Sequence, residues 1–324
     1  MTKIYQQIEN HTYTADKCFL CGCVLTTDNR TDEHVIPRWL QHEFNLWSQR
    51  LTLLNGTLIQ YRNLTIPCCF ECNNLHLNPF EKKVLNAYQK GFDEFSKLDK
   101  ETLFFWLGKI YYGLMYKQLF ISGDRKDPSL GTITNPHYLK QFFLHFLFLQ
   151  GIRGKLTFKD YFPASIYSFR TQQTSDKQMQ WDLIDSHNKL FIAIRMGEIG
   201  VIALLQDCET TLGLSEHLDQ HRQFPLHPLQ FRELATKILY KGILMNRVTN
   251  FINVEQNGHI ESVLLPFSSL NNRPIFDEWN DGDYSLLLSY ITEFPLEDVQ
   301  PIKGKSHTWL LNDEGKPRFM DINS

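Results

Sequence analysis

Two short cysteine pairs restrict this chain more than any other feature. Cys18-Phe-Leu-Cys21 and Cys69-Phe-Glu-Cys72 lie about fifty residues apart, and six of the seven cysteines fall before residue 95. A CxxC turn presents two thiolates to one point, and two such turns complete a tetrahedral four-sulfur site for zinc. Disulfides would need an oxidising compartment. The chain opens on MTKIYQQIENHTYT, which lacks the basic region, apolar core and small-residue cleavage site of a signal peptide. The expectation is therefore a cytoplasmic, reducing setting and a structural Zn²⁺ held by Cys18, Cys21, Cys69 and Cys72. Cys23 and Cys68 stand beside these pairs and could compete as ligands.

Composition narrows the class. With 324 residues, 42% of them hydrophobic and 21% charged, the chain is long enough for two or three domains with proper cores. Its most apolar run, FFLHFLFL (142–149), is far shorter than the roughly 20 residues of a membrane span. It reads as a buried helix, so no membrane partner is expected. The formal charge is -3. Any nucleic-acid binding must then come from a local patch, because the global field does not favour it.

The patterning implies an α+β fold in three parts. Residues 1–98 form a cysteine-rich head. In it, Asn55-Gly56 separates two β-compatible runs in the manner of a type I′ hairpin. Phe80, Val84, Leu85, Tyr88, Phe92 and Phe95 predict an amphipathic helix over 79–97. Residues 99–155 are a helical middle segment, with helices over 101–121 and 136–150. Residues 156–324 form a mixed α+β domain: KLTF, SIYSFRT, MQWDLID, KLFIAIRMG and IGVIALLQD read as strands, and a helix follows at 228–250. His145 in the apolar helix is a satisfied core residue, and the His217/His221 pair is a solvated segment.

Between the cysteine pairs lies DEHVIPRWL (32–40). Four elements occur in order: a CxxC, Glu33-His34-x-x-Pro37, Asn63-Leu64, and a CxxC followed directly by Asn73. Over about residues 15–85 this resembles the HNH endonuclease family, the ββα-metal nucleases in their zinc-knuckle form. The resemblance implies a metal-dependent hydrolysis of phosphodiester bonds. His34 would be the general base, since imidazole titrates near neutral pH. Asn63 would orient it. Glu33, its strand neighbour, would bind a catalytic Mg²⁺ or Mn²⁺, ions that prefer oxygen ligands. Asn73 occupies the position where many members carry a last metal-binding histidine, and His76, three residues on, is the alternative ligand. Arg38, after the Pro37 turn, could clamp a phosphate oxygen.

The partner implied is nucleic acid, with DNA favoured. Nine Lys/Arg against eight Asp/Glu in residues 1–90 make a nearly neutral head. Activity is thus expected to depend on the C-terminal region, on homo-oligomerisation or on a regulatory partner protein. That arrangement is similar to bacterial antiphage (antiviral defence) effectors. The competing reading is a catalytically silent zinc module in a nucleic-acid-binding or scaffold subunit.

Overall fold

A computed structural model of the protein describes residues 14–124, 126–265 and 274–322. Nearly all of the opening stretch read for a signal peptide, residues 1–13, lies outside them. The protein is mixed α and β. No helix among the described residues is long and apolar enough to cross a membrane.

The chain divides into two compact units. The first holds the residues up to Gln89 together with Lys97–Lys159 and Asn253–Val263; the second holds Lys90–Ser96, Asp160–Ile252 and the residues from Leu264 on. The helical segment 99–155 thus falls in the same unit as the cysteine-rich head. The reason is burial. Helix α3 (Lys100–Lys117), started by Asp99, whose carboxylate accepts from the Thr102 N–H, has every residue from Thr102 to Tyr116 buried. A helix apolar on all sides needs cover on all sides. At Gly113 the approach is so close that an added Cβ would lie 2.9 Å from Val35.

The head is built on strand β1 (Arg30–His34), which pairs antiparallel with β4 (Thr65–Cys69), setting Arg30 opposite Cys69 and His34 opposite Thr65. Between them come a short helix α1 (Arg38–Glu43) and the hairpin β2 (Arg50–Thr52) and β3 (Leu58–Gln60). The hairpin loop departs from the expected type I′ turn. Only Gly56 takes a positive φ, of 78°, and its N–H donates to the Leu53 carbonyl at 2.8 Å. The Asn55 side chain instead accepts from the Thr57 N–H at 3.0 Å, which holds Asn55 itself out of the left-handed region that type I′ requires.

After β4 the chain winds through a π turn at Cys72–Leu77 into α2 (Asn78–Gln89). The helix expected over 79–97 stops there because Gly91, at φ 92°, breaks it before a short turn of helix at Phe92–Phe95. The helix expected over 136–150 is likewise split into α and 3₁₀ pieces between Pro136 and Arg153. Strand β5 (Leu156–Lys159) closes this unit, running parallel to β11 (His259–Leu264), which is flanked by β10 (Phe251–Gln256).

The second unit is organised by a four-stranded antiparallel sheet in the order β6-β9-β8-β7. Its strands are β6 (Ser165–Arg170), β7 (Trp181–Ser186), β8 (Phe191–Met196) and β9 (Ile199–Leu204). β8 and β9 are buried along their whole length, which explains their unbroken apolar sequence. Helix α4 (Pro228–Leu244) covers the sheet with Phe231, Leu234, Ala235, Ile238 and Leu239. It ends six residues before the expected limit. Helix α5 (Asp281–Thr292) packs on α4 through Tyr284 and Leu288 against Tyr240 and Leu244.

Candidate metal centre and adjoining cleft

The Sγ atoms of Cys18, Cys21, Cys69 and Cys72 all lie within 4.8 Å of one another. Zinc bound tetrahedrally at about 2.3 Å to four sulfurs spaces them about 3.8 Å apart, and the Cys21–Cys69 separation is 3.7 Å. The donor set fits Zn²⁺. Among the described residues this is the one cluster of three or more His, Cys, Asp or Glu side chains so arranged. Sulfur contacts with Cys21, Cys68, Cys69 and Cys72 hold the Cys18 thiol well below its ordinary pKa. Cys68 approaches Cys18 at 4.0 Å but stands outside the group of four, and burial pushes the Cys23 thiol up to about 11.

Beside the knuckle lies a cleft of about 430 Å³ lined by Asp32, Glu33, His34, Arg38, Trp39, Asn73, Asn78 and Glu81. β1 supplies the first three. The β1–β4 pairing sets this strand against the one that ends in Cys69, so the sulfur cluster and the cleft share a scaffold. His34 is half-buried. Its ring stacks on Trp47, with centroids 5.9 Å apart at 26°, and Trp47 stacks in turn on His42 at 4.9 Å. Burial, followed by the charges of Arg38 and Lys109, lowers the His34 pKa from 6.5. The imidazole is therefore neutral at pH 7 and able to accept a proton. Arg38 lays its guanidinium 5.6 Å from the Trp47 ring centroid.

Asn73 reaches the same cleft from the π turn. Its amide nitrogen donates to the Thr31 hydroxyl at 3.0 Å, and that hydroxyl donates to the Cys68 carbonyl at 3.1 Å. This chain of bonds orients the amide and turns its oxygen away from Thr31. His76 does not line the cleft. Its nearest carboxylate is Glu71 at 3.9 Å, and burial and then the charge of Arg153 lower its pKa. Of the two alternative ligands, Asn73 is the one placed near His34.

Asn63 is placed differently from the expectation. Itself exposed, it ends the 3₁₀ turn Tyr61–Asn63 and lines a neighbouring cleft. Among the described residues no hydrogen bond joins it to His34, whose ring is set by Trp47 instead.

Glu33 lines the cleft but is 5% exposed, and its carboxylate is already engaged. The Lys109 ammonium, on α3, donates to Glu33 at 2.6 Å, to Glu81 at 2.7 Å, and to the carbonyls of His34 at 3.1 Å and Val35 at 3.3 Å. Burial raises the Glu33 carboxyl to about 7, opposed by Lys109 and assisted by Glu81. Burial alone would lower the Lys109 pKa, but Glu33 and Glu81 raise it above its ordinary value. The triad is one buried cation shared by two acids. Sequence reasoning missed Lys109 and Glu81. A signal existed for the first: a lone lysine in FFWLGKIYYGLMY must find a partner if that helix is buried. Glu81 carries no such mark.

No protein-family model, curated protein or solved structure matches this chain.

Proposed function

We propose that the protein is a metal-dependent endonuclease of the HNH type that hydrolyses phosphodiester bonds, with DNA the favoured substrate. The observation that carries this reading is the position of His34. A neutral, Trp47-stacked imidazole opens into a cleft with Asp32, Arg38 and Asn73, on the strand that pairs with the cysteine-bearing β4. In this reading His34 takes the proton of the attacking water. Arg38 holds a phosphate oxygen. Asp32, Asn73 and the partly neutralised Glu33 offer the oxygen donors suited to Mg²⁺ or Mn²⁺, ions often bound through one or two carboxylates and several waters. A bound ion of this kind supplies positive charge to the phosphate and to the leaving oxygen. The zinc is structural, and control rests with the C-terminal region, self-association or a partner protein, so basal cleavage by the purified chain is low.

The test is plasmid cleavage with Mg²⁺ or Mn²⁺, wild type beside His34→Ala, with zinc measured by elemental analysis. Loss of a general base costs about 10²–10⁴-fold in rate, with zinc content unchanged. Undiminished cleavage by the variant would remove His34 from the mechanism. One observation favours the second reading, a catalytically silent zinc module: the Glu33 carboxylate is tied to Lys109, which it shares with Glu81. That reading is selected if both proteins bind DNA and neither cuts it, with or without a partner.

A further inference from the structure

A second cleft of the first unit, of about 860 Å³, lies between the β2–β3 hairpin and the end of α3 with the segment that follows it, to Asp124. Its walls are tied together. The Asn55 amide donates to the Gly123 carbonyl at 2.7 Å, and the Leu54 N–H donates to the Gln118 side chain at 3.3 Å. Two cations line it, Arg50 from the start of β2 and Lys117 from the last turn of α3, and neither has a hydrogen-bond or ion-pair partner among the described residues. Lys117 is half-buried. Burial lowers its pKa, while Asp32 raises it. An ammonium drawn partly out of water with no carboxylate in direct contact is a site for an anion. Asn63 and Gln60 add amide groups that donate to oxygens. Asp124 is the one acid in the lining; it is exposed, its Oδ1 accepts the Lys126 N–H at 2.8 Å, and its single charge stands against the two cations.

The cleft also adjoins the first. Asp32, whose charge acts on Lys117, lines the His34 cleft, and Asn63 lies two residues before Thr65, the pairing partner of His34. A polymer with a charge at every repeat can occupy both places together; a small anion cannot. We propose that this second cleft grips a backbone phosphate of the nucleic-acid strand through Lys117 and Arg50, next to the phosphate presented to His34. The proposal rests on the nuclease reading for its substrate, but it concerns binding and is tested apart from cleavage.

The experiment uses the full chain carrying His34→Ala, so that nothing is cut, and measures fluorescence anisotropy with a labelled DNA duplex and with one of its single strands across a salt series. Lys117→Gln and Arg50→Gln are added separately, with zinc content and thermal unfolding as controls for the fold. The expected result is an affinity lowered about 10-fold or more by each. The slope of log affinity against log salt should flatten by about 0.7–0.9 for each phosphate that is no longer neutralised. Unchanged affinity and slope would overturn the phosphate grip and leave the nuclease reading intact if the wild type cuts. Inability to bind either strand form would also overturn it. So would displacement of the duplex by inorganic phosphate or ATP at equal phosphate concentration, which would mark a small-anion pocket. Loss of binding in these variants, with no cleavage by the wild type with or without a partner, would uphold the grip and select the silent module.

Discussion

Removing the Lys109 ammonium leaves the buried Glu33 carboxylate without its cation, beside the partly exposed Glu81. The single substitution Lys109→Met is therefore expected to destabilise the protein by about 3–5 kcal/mol, the range for breaking a buried pair from one side. The sign with pH is fixed by the acids. Burial holds the Glu33 carboxyl up at about 7 even against the Lys109 charge, and without that charge it lies higher still, so the folded state holds the extra proton and stability falls as pH rises above the ordinary carboxylate range. Adding Glu33→Gln to Lys109→Met removes one of the unpaired charges and restores part of the loss. Urea unfolding of the three proteins reads both effects, and a Lys109→Met variant as stable as wild type would refute the triad. At this scale the sequence marked His34, the cysteines and Asn73 as neighbours in space, because short motifs hold them. It could not mark Lys109, which lies 76 positions from Glu33.

At the scale of elements, the knuckle joins pieces that have little core of their own. β1 and β4 are five residues each, and the π turn at Cys72–Leu77 carries Asn73 between β4 and α2. The four sulfurs could hold zinc, and a metal bound there would add its binding free energy to the folding of these short strands. Cys72→Ser, or treatment with a strong zinc chelator, is expected to release zinc and unfold the head, with a matching loss of near-ultraviolet circular dichroism. A chelated protein that kept its native spectrum would show the four sulfurs to be dispensable. Strands β8 and β9 and helix α3 were legible because their apolar runs are long, and β6 because its buried residues alternate. The helices expected over 79–97 and 136–150 were legible as apolar stripes only. A stripe does not report a backbone break such as the one at Gly91, and periodicity continues across it.

Over the whole molecule, each unit buries a histidine in neutral form. His145 is fully buried in the first, its Nε2 against the Gly108 carbonyl at 3.0 Å, and His221 is 8% exposed in the second, not solvated as its polar surroundings in sequence suggest. Burial lowers both to about 4. Each group therefore contributes stability that is complete above its unfolded value near 6.5 and lost as pH falls through 4. The loss is roughly 3 kcal/mol for His145, from about 2.5 pKa units at 1.36 kcal/mol each. Urea midpoints measured between about pH 7 and about pH 4 should fall steeply. His145→Gln, which keeps a hydrogen-bonding amide and does not titrate, should flatten part of that fall; an unchanged slope would show that His145 does not titrate with unfolding.

By itself the sequence determined the parts whose geometry is local. A CxxC turn can close on a metal from four consecutive residues, and alternating or continuous apolar runs state which face of a strand must be covered. Only the tertiary structure decided which distant groups meet at the cleft. The docking of α3 brings Lys109 to Glu33 and Glu81, and the fold of the 35–64 excursion sets Trp47, not Asn63, beside His34. The difference has a physical origin. Spacing along the chain constrains groups only over a few bonds, whereas partners separated by tens of residues are selected by packing and by the demand that every buried charge be matched.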